Sequence, residues 1–489
     1  MTTPRSRPRL TFAVIAIGVC SYSLLQSVSV PTMPLVQDEL NTDQATASWI
    51  LTAFLLSASV ATPIIGRMGD SFGKRRMYVW SLAALTAGAL LAAVAPSIEV
   101  MIAARVLQGL GGGTLPLAFA VLRDELPKDR VPGAIALTSS LLSMGFAAGI
   151  VLAGPVAETL GFRALFLLPA LVAAGAAIGT LRLVPESPVL TREPLPLIPA
   201  ALLTGWLVAL LLGVSQAPTW GWTAPATIGL LGAAGVLLIA WVRVEWTCAQ
   251  PLVDLRLMGR RGVWSANLVA LLIGIAMYAS FGFIPQLIQT PESAGYGFGA
   301  SVTGAGYLML PTAVASFLCG LVSARLAEIV GMRRILVIGG AITAVSLAMV
   351  AFVHDQPWQM CIASALSGLG TGLVFANLAN AVVAAVPPEH TGVATGMNAN
   401  IRTVGGTIGS AVMTSVVTVE TLPSGYPVEQ GYINGFVFLA VVAGGAALAA
   451  LLIPRSPRRV APDVRGYSAG RARSAALAAD QSCSTSSRV

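Results

Sequence analysis

The segment GRMGDSFGKRR at residues 66–76 returns as ARLAEIVGMRR at residues 324–334, each copy set between long apolar runs. Arg67 aligns with Arg325, Asp70 with Glu328, Gly73 with Gly331, and Arg75 and Arg76 with Arg333 and Arg334. An acid, a glycine and paired cations held at one spacing, with apolar sequence on both sides, imply a bundle of membrane helices that occurs twice in the chain. Only 10% of the 489 residues are charged, 55% are hydrophobic and the mean hydropathy is +0.79, which leaves too little polar surface for a soluble protein of this length. The 50 glycines lie mostly inside the apolar runs, as close helix-to-helix packing in lipid requires.

Apolar stretches of spanning length fall at 10–34, 47–66, 77–95, 99–122, 132–157 and 163–184, then at 196–214 and 224–242, then at 263–287, 300–323, 335–353, 358–386, 392–418 and 432–454. The expected fold is an all-α membrane protein with fourteen transmembrane helices. Two six-helix bundles related by a parallel repeat occupy residues 1–190 and 263–454, a two-helix insert and connector occupies 191–262, and 455–489 form a disordered basic tail. The run from Leu10 is too long for a cleaved signal and reads as a first span.

Two copies of one loop share a membrane face only if an even number of helices separates them, and this count places eight between them. QGLG at 108–111 and SGLG at 367–370 align at nearly the same offset, as do Pro132-Gly133 and Thr391-Gly392. With the N-terminus inside, all of the 29 cations except Arg105, Arg163 and Arg402 fall on cytoplasmic segments, the distribution that governs membrane orientation. Trp49, Trp220, Trp222 and Trp358 mark outer span ends, Trp80, Trp241, Trp246 and Trp264 inner ones, and Trp206 lies mid-span. The net charge of +8 is thus a topological signature and implies no nucleic-acid partner. Five scattered cysteines and only two histidines, His354 and His390, form neither a disulfide framework nor a metal site, and no cofactor is expected.

The first basic turn, with Gly66, Met68, Asp70, Gly73, Lys74, Arg75 and Arg76, closely resembles the loop motif G-x-L-a-D-r-x-G-r-k-r of the major facilitator superfamily, and the two extra central spans resemble its fourteen-span drug/proton antiporter branch. The resemblance covers nearly the whole chain. It implies a conformational switch at Gly66, Asp70, Gly73, Arg75, Arg76 and Asp124, with Arg325, Glu328, Gly331 and Arg333 as the second copy. Asp70 is expected just ahead of helix 3, favoured by that helix's N-terminal dipole, with Asp124 and Glu125 as partners of Arg75 or Arg76. Gly145, Gly149, Gly154 and Pro155 resemble the branch's helix-5 antiporter motif, without the glycines that usually follow the proline. Arg105 in RVLQGLGGG, with Gln108, and the stretch Asn398, Asn400, Arg402, Gly405, Gly406 resemble further motifs that line the pathway, together with Gln26. The glycine run 109–113 lacks the lysine and preceding strand of a phosphate loop.

Helix 1 departs from the branch: Leu25 stands where an aspartate is usual, and no carboxylate is expected mid-membrane, so the proton carrier is not evident. Two buried arginines without a buried counter-ion would make the cavity positive and favour anionic, zwitterionic or neutral cargo. These features predict a secondary active exporter of a drug-like or antibiotic metabolite, driven by the proton gradient, monomeric and not an enzyme. An uptake permease is the alternative, and a membrane-embedded enzyme is disfavoured because DxxD and HxxxD patterns are absent. Lysine occurs only at 74 and 128 against many arginines and alanines, which points to a GC-rich bacterium and hence its inner membrane, with both termini cytoplasmic.

Overall fold

Among the described residues there are fourteen long helices, in chain order α1 Pro8–Ser27, α2 Gln44–Phe72, α3 Lys74–Ala93, α4 Ile98–Glu125, α5 Val131–Leu160, α6 Ala164–Leu183, α7 Leu197–Trp220, α8 Pro225–Thr247, α9 Arg261–Gln289, α10 Val302–Val330, α11 Met332–Phe352, α12 Pro357–Ala385, α13 Thr391–Val417 and α14 Glu429–Ala450. The structure is a computed structural model and describes residues 8–28, 33–42, 44–186, 195–248, 251–387 and 390–454. The expected tail 455–489 lies outside the described residues. Thirteen of the helices are both long and apolar enough to cross a membrane. Helix α13, 27 residues long, falls outside that set because Asn398, Asn400, Arg402 and a row of threonines dilute its apolar character. Helices dominate because each satisfies its own backbone hydrogen bonds, which lipid cannot do.

Each basic turn is a single-residue break. Gly73 separates α2 from α3 at φ 109°, ψ 126°, and Gly331 separates α10 from α11 at φ 92°, ψ 137°. That left-handed region is open to glycine and strained for other residues, which is why the repeat keeps glycine at this position. Both copies lie at one end of the bundle, termed the basic end: Gly66 on α2 faces Gly392 at the start of α13, and Gly133 at the start of α5 faces Ala324 on α10.

Several expectations are corrected. The first span does not run to residue 34: α1 ends at Ser27, and a separate short helix covers Met33–Leu40. Asp70 precedes α3 as expected but lies in the last turn of α2 and not in a loop, because nothing before Gly73 breaks that helix. Helix α4 is not uniform, since Leu110–Gly113 tightens to a 3₁₀ turn where the glycine run presses against α2 and α3.

The halves meet along α5 and α10, where Ser316 Oγ donates to Ser143 Oγ at 2.8 Å, and Phe146 stacks on Phe281 of α9 with ring centroids 5.1 Å apart. The insert closes another flank: Leu203, Leu207 and Leu211 of α7 pack with Val60 and Ile64 of α2 and Val393, Met397 and Val404 of α13. Trp206, the mid-span exception, lies 6.0 Å from Trp241 of α8, so this tryptophan pair serves the insert's interior instead of an interface with water.

Candidate functional site

At the basic end, the first copy is buried while the second is open. Arg67, Asp70 and Lys74 are buried, whereas Arg325 and Glu328 are exposed. A β-carbon on Gly392 would stand 3.6 and 3.7 Å from the Asp70 carboxylate oxygens, so this carboxylate lies against the first turn of α13 and faces its positive dipole end. The dipole partner anticipated for Asp70 is therefore a helix of the other half, not α3. Arg123 donates to Thr391 Oγ1 and, at 3.3 Å, to the Val386 carbonyl, tying α4 to the α12–α13 turn. Asn380 Nδ2 donates to the Pro132 carbonyl at 3.0 Å, a second tie between halves.

Asp124 pairs with Lys74, Nζ to Oδ2 at 2.8 Å, and not with Arg75 or Arg76. Those arginines turn to Glu186: its Oε1 accepts from the Arg75 backbone N–H at 3.0 Å, and its Oε2 lies 3.5 Å from Arg75 Nε and 3.6 Å from Arg76 Nε. The assignment changed because Lys74 points into the bundle beside the end of α4, while the next two cations face the chain leaving α6. Arg333 of the second copy is half-buried, and no space around Gly331 is filled within 4 Å.

In the middle of the bundle, Arg105 is fully buried, its Nε and Nη1 hydrogen-bonded and its Nη2 without a hydrogen-bond partner among the described residues. Its guanidinium donates to the carbonyls of Leu25 at 3.0 Å and Ile50 at 3.2 Å and to Gln108 Oε1 at 2.5 Å, and it lies 4.4 Å over the Phe54 ring. It pins α1, α2 and α4 together. Gln108 is also fully buried and completes that pin. Arg402 lies 4.5 Å over Phe375 and, with Asn398, Ser139, Phe119 and Thr395, lines a central void of only about 10 Å³. Asn398 donates to Asn267 Oδ1 of α9 at 2.9 Å. Asn400 is buried elsewhere, its Oδ1 without a hydrogen-bond partner among the described residues. Gln26 reaches Tyr278 of α9, Nε2 to the hydroxyl at 3.4 Å, bridging the halves. The expected two-arginine cavity is thus reduced to one: Arg402 faces the void, and Arg105 does not.

The helix-5 residues serve two neighbours. Gly145 and Gly149 seat Ser23 and Ser27 of α1, while Gly154, beside Pro155, seats Thr303 of α10. One turn on, Thr303 Oγ1 donates to Glu158 Oε1 at 2.7 Å, a tie between halves at the end opposite the basic one.

Arg123, Glu186 and Tyr278 were not singled out from the sequence, and Lys74 was read only as a motif position and not as the partner of Asp124, because the partners lie tens to hundreds of residues away. Glu245 was also missed: α8 runs to Thr247, and this carboxylate is 3% exposed, its Oε1 accepting from the Val253 backbone N–H at 3.3 Å with Arg67 within electrostatic reach.

Two halves are thus joined near both ends around a narrow polar middle. A profile of the Major Facilitator Superfamily matches residues 15–290 and 266–478, and the chain belongs to that superfamily. It is a multi-pass membrane transporter and not an enzyme. Among its relatives are a multidrug resistance protein B homolog of Mycobacterium tuberculosis, 29% identical over 419 residues covering 82% of this chain and 76% of that protein, and the cephamycin export protein CmcT of Amycolatopsis lactamdurans, 30% identical over 447 residues covering 90% and 91%. The tetracenomycin C resistance and export protein of Streptomyces glaucescens is 25% identical over 414 residues, covering 84% and 76%. The solved structure of the human organic anion transporter MFSD10 shares the fold, with a TM-score of 0.67 at 16% identity over 92% of this chain and all of that one.

Proposed function

We propose that this transporter exports a drug-like or antibiotic metabolite from a bacterial cell by alternating access driven by the proton gradient. The observation that carries the reading is the paired closure. Asp70 under the first turn of α13, with Arg123 on Thr391 and Val386, holds the halves at the basic end, and Glu158 on Thr303 holds them at the other. Exchanging one set of ties for the other would move access from one face to the other about the α5–α10 seam. The kinship with drug and antibiotic exporters supports outward transport, and the cation distribution supports a bacterial inner membrane with both termini cytoplasmic. The protein works as a monomer in this reading. Arg402 as the one cation of the central void favours anionic, zwitterionic or neutral cargo over lipophilic cations.

The test is uptake of a panel of labelled antibiotics into everted membrane vesicles with the chain expressed, before and after the proton gradient is collapsed. Accumulation that collapses with the gradient is expected. Accumulation only in right-side-out vesicles would replace export with uptake.

A further inference from the structure

Far roomier than the central void is a space of about 500 Å³ in the half of the bundle away from the basic end. Its walls come from α2 (Thr52, Leu55), from the insert helix α7 (Gln216) and from α13 (Thr407, Ser410, Ala411). Near the basic end α2 and α13 touch at Gly66 and Gly392. Toward the far end they diverge, and α7 spans the gap, fastened to α13 where Trp222 Nε1 donates to Ser415 Oγ at 2.8 Å.

We infer that this space is a cargo-binding vestibule for an uncharged amphiphile, with Gln216 as its polar anchor and the insert helix α7 as part of the transport pathway. The inference rests on the exporter reading and deepens it. The volume suits a drug-sized ligand, and the wall mixes leucines with hydroxyl and amide groups in the manner of small-molecule sites. No residue lining it is Asp, Glu, Lys, Arg or His, so a charged ligand would shed water and gain no counter-charge, while a neutral one would meet hydrogen-bonding groups along one side. Gln216 is the pointed observation. It is 7% exposed in an otherwise apolar helix and makes no hydrogen bond within the described protein. Its amide is open to the cavity it lines and engages no protein group, so its donor and acceptor are left for a molecule occupying that space. Thr407 lies five residues along α13 from Arg402, about 7.5 Å of helix rise, so the vestibule follows the central void along the same helix.

The experiment uses the full-length protein in everted vesicles with the uncharged dye Nile red, and a benzophenone derivative of it for cross-linking mapped by mass spectrometry. On the wild type, cross-links on 211–219 of α7 and on 407–414 of α13 are expected. Gln216→Leu, which keeps the side-chain bulk, should raise the KM for Nile red about tenfold, the loss of one hydrogen bond to the ligand. Ala411→Phe, which fills the space, should raise it as well. Cross-links confined to the surroundings of Arg402, an unchanged KM in both variants, or a phospholipid that co-purifies on these peptides and is not displaced by the dye would each overturn the inference. Absence of any energised transport by the wild type would overturn the exporter reading instead.

Discussion

Gly66 and Gly392 meet so closely that a β-carbon on Gly66 would stand 3.0 Å from the Gly392 carbonyl oxygen, and this contact joins one half of the transporter to the other. Neither residue is in a left-handed conformation, so the glycines are there for the approach and not for backbone freedom. Gly66→Val inserts an isopropyl group into that contact and should hold α2 off α13, disfavouring the state closed at the basic end. Transport should fall about tenfold or more with expression and melting temperature little changed, because closing the halves is a modest equilibrium that one such clash can tip. A variant with unimpaired transport would show that the contact is incidental.

The Lys74–Asp124 pair is buried on both sides, with side chains 4% and 12% exposed. Removing Lys74 takes away the closest counter-charge of Asp124 and costs up to about 3–5 kcal/mol, whereas replacing both partners with apolar residues is often tolerated. Lys74→Met should lower the melting temperature markedly in detergent, and adding Asp124→Leu should restore most of it. If the double variant is no more stable than the single one, the two charges are not coupled.

Arg105 donates to two carbonyls and one amide, so Arg105→Lys can satisfy only part of that set and should cost stability and transport for cargo of every charge. Arg402→Gln should instead shift preference among cargoes, weakening anions relative to neutral molecules. Uptake of one scaffold in anionic, neutral and cationic forms separates the two. Selective loss of anions in the Arg105 variant would contradict its role as a structural pin.

The repeated glycines give an internal control. Gly73→Ala suffers the positive φ and also a β-carbon 2.7 Å from Glu186 Oε1, while Gly331→Ala suffers the φ alone, a strain of about 1 kcal/mol. Thermal unfolding should therefore find Gly73→Ala the more damaging, and equal effects would mean that Glu186 simply moves aside.

Glu245, near the end of α8, accepts from the Val253 backbone N–H and lies within electrostatic range of Arg67 of the first basic turn. Glu245→Gln preserves an oxygen for the Val253 N–H and removes only the charge, so a several-fold fall in transport with unchanged melting temperature is the expected outcome, measured in the vesicle assay. Unchanged transport would make this carboxylate a structural group only.

The span count and the duplication were legible because each depends on composition over twenty residues or more, and a row of leucines and alanines tolerates errors of several positions. Helix α13 shows the value of the repeat: its apolar character is diluted, yet Pro132-Gly133 aligned with Thr391-Gly392 marks where it starts. Partners were less legible. Which of Lys74, Arg75 and Arg76 meets Asp124 depends on the direction in which α3 leaves Gly73, and Glu186, the true partner of the arginines, is 111 residues from Arg75 with no local pattern to flag it. The positive-cavity expectation counted Arg105 as free because carbonyl acceptors such as Leu25 and Ile50 carry no sequence signal, every residue having one.

The polar face of α13 bears on how the chain is made. A segment with Asn398, Asn400 and Arg402 near its middle is poorly accepted by the translocon on its own hydrophobicity. Its neighbours are the remedy: Asn267 of α9 receives Asn398 and Phe375 of α12 lies beneath Arg402, and both are synthesised earlier in the chain. The polar face of α13 is thus matched by helices that precede it in the chain, so insertion of α13 is expected to depend on them.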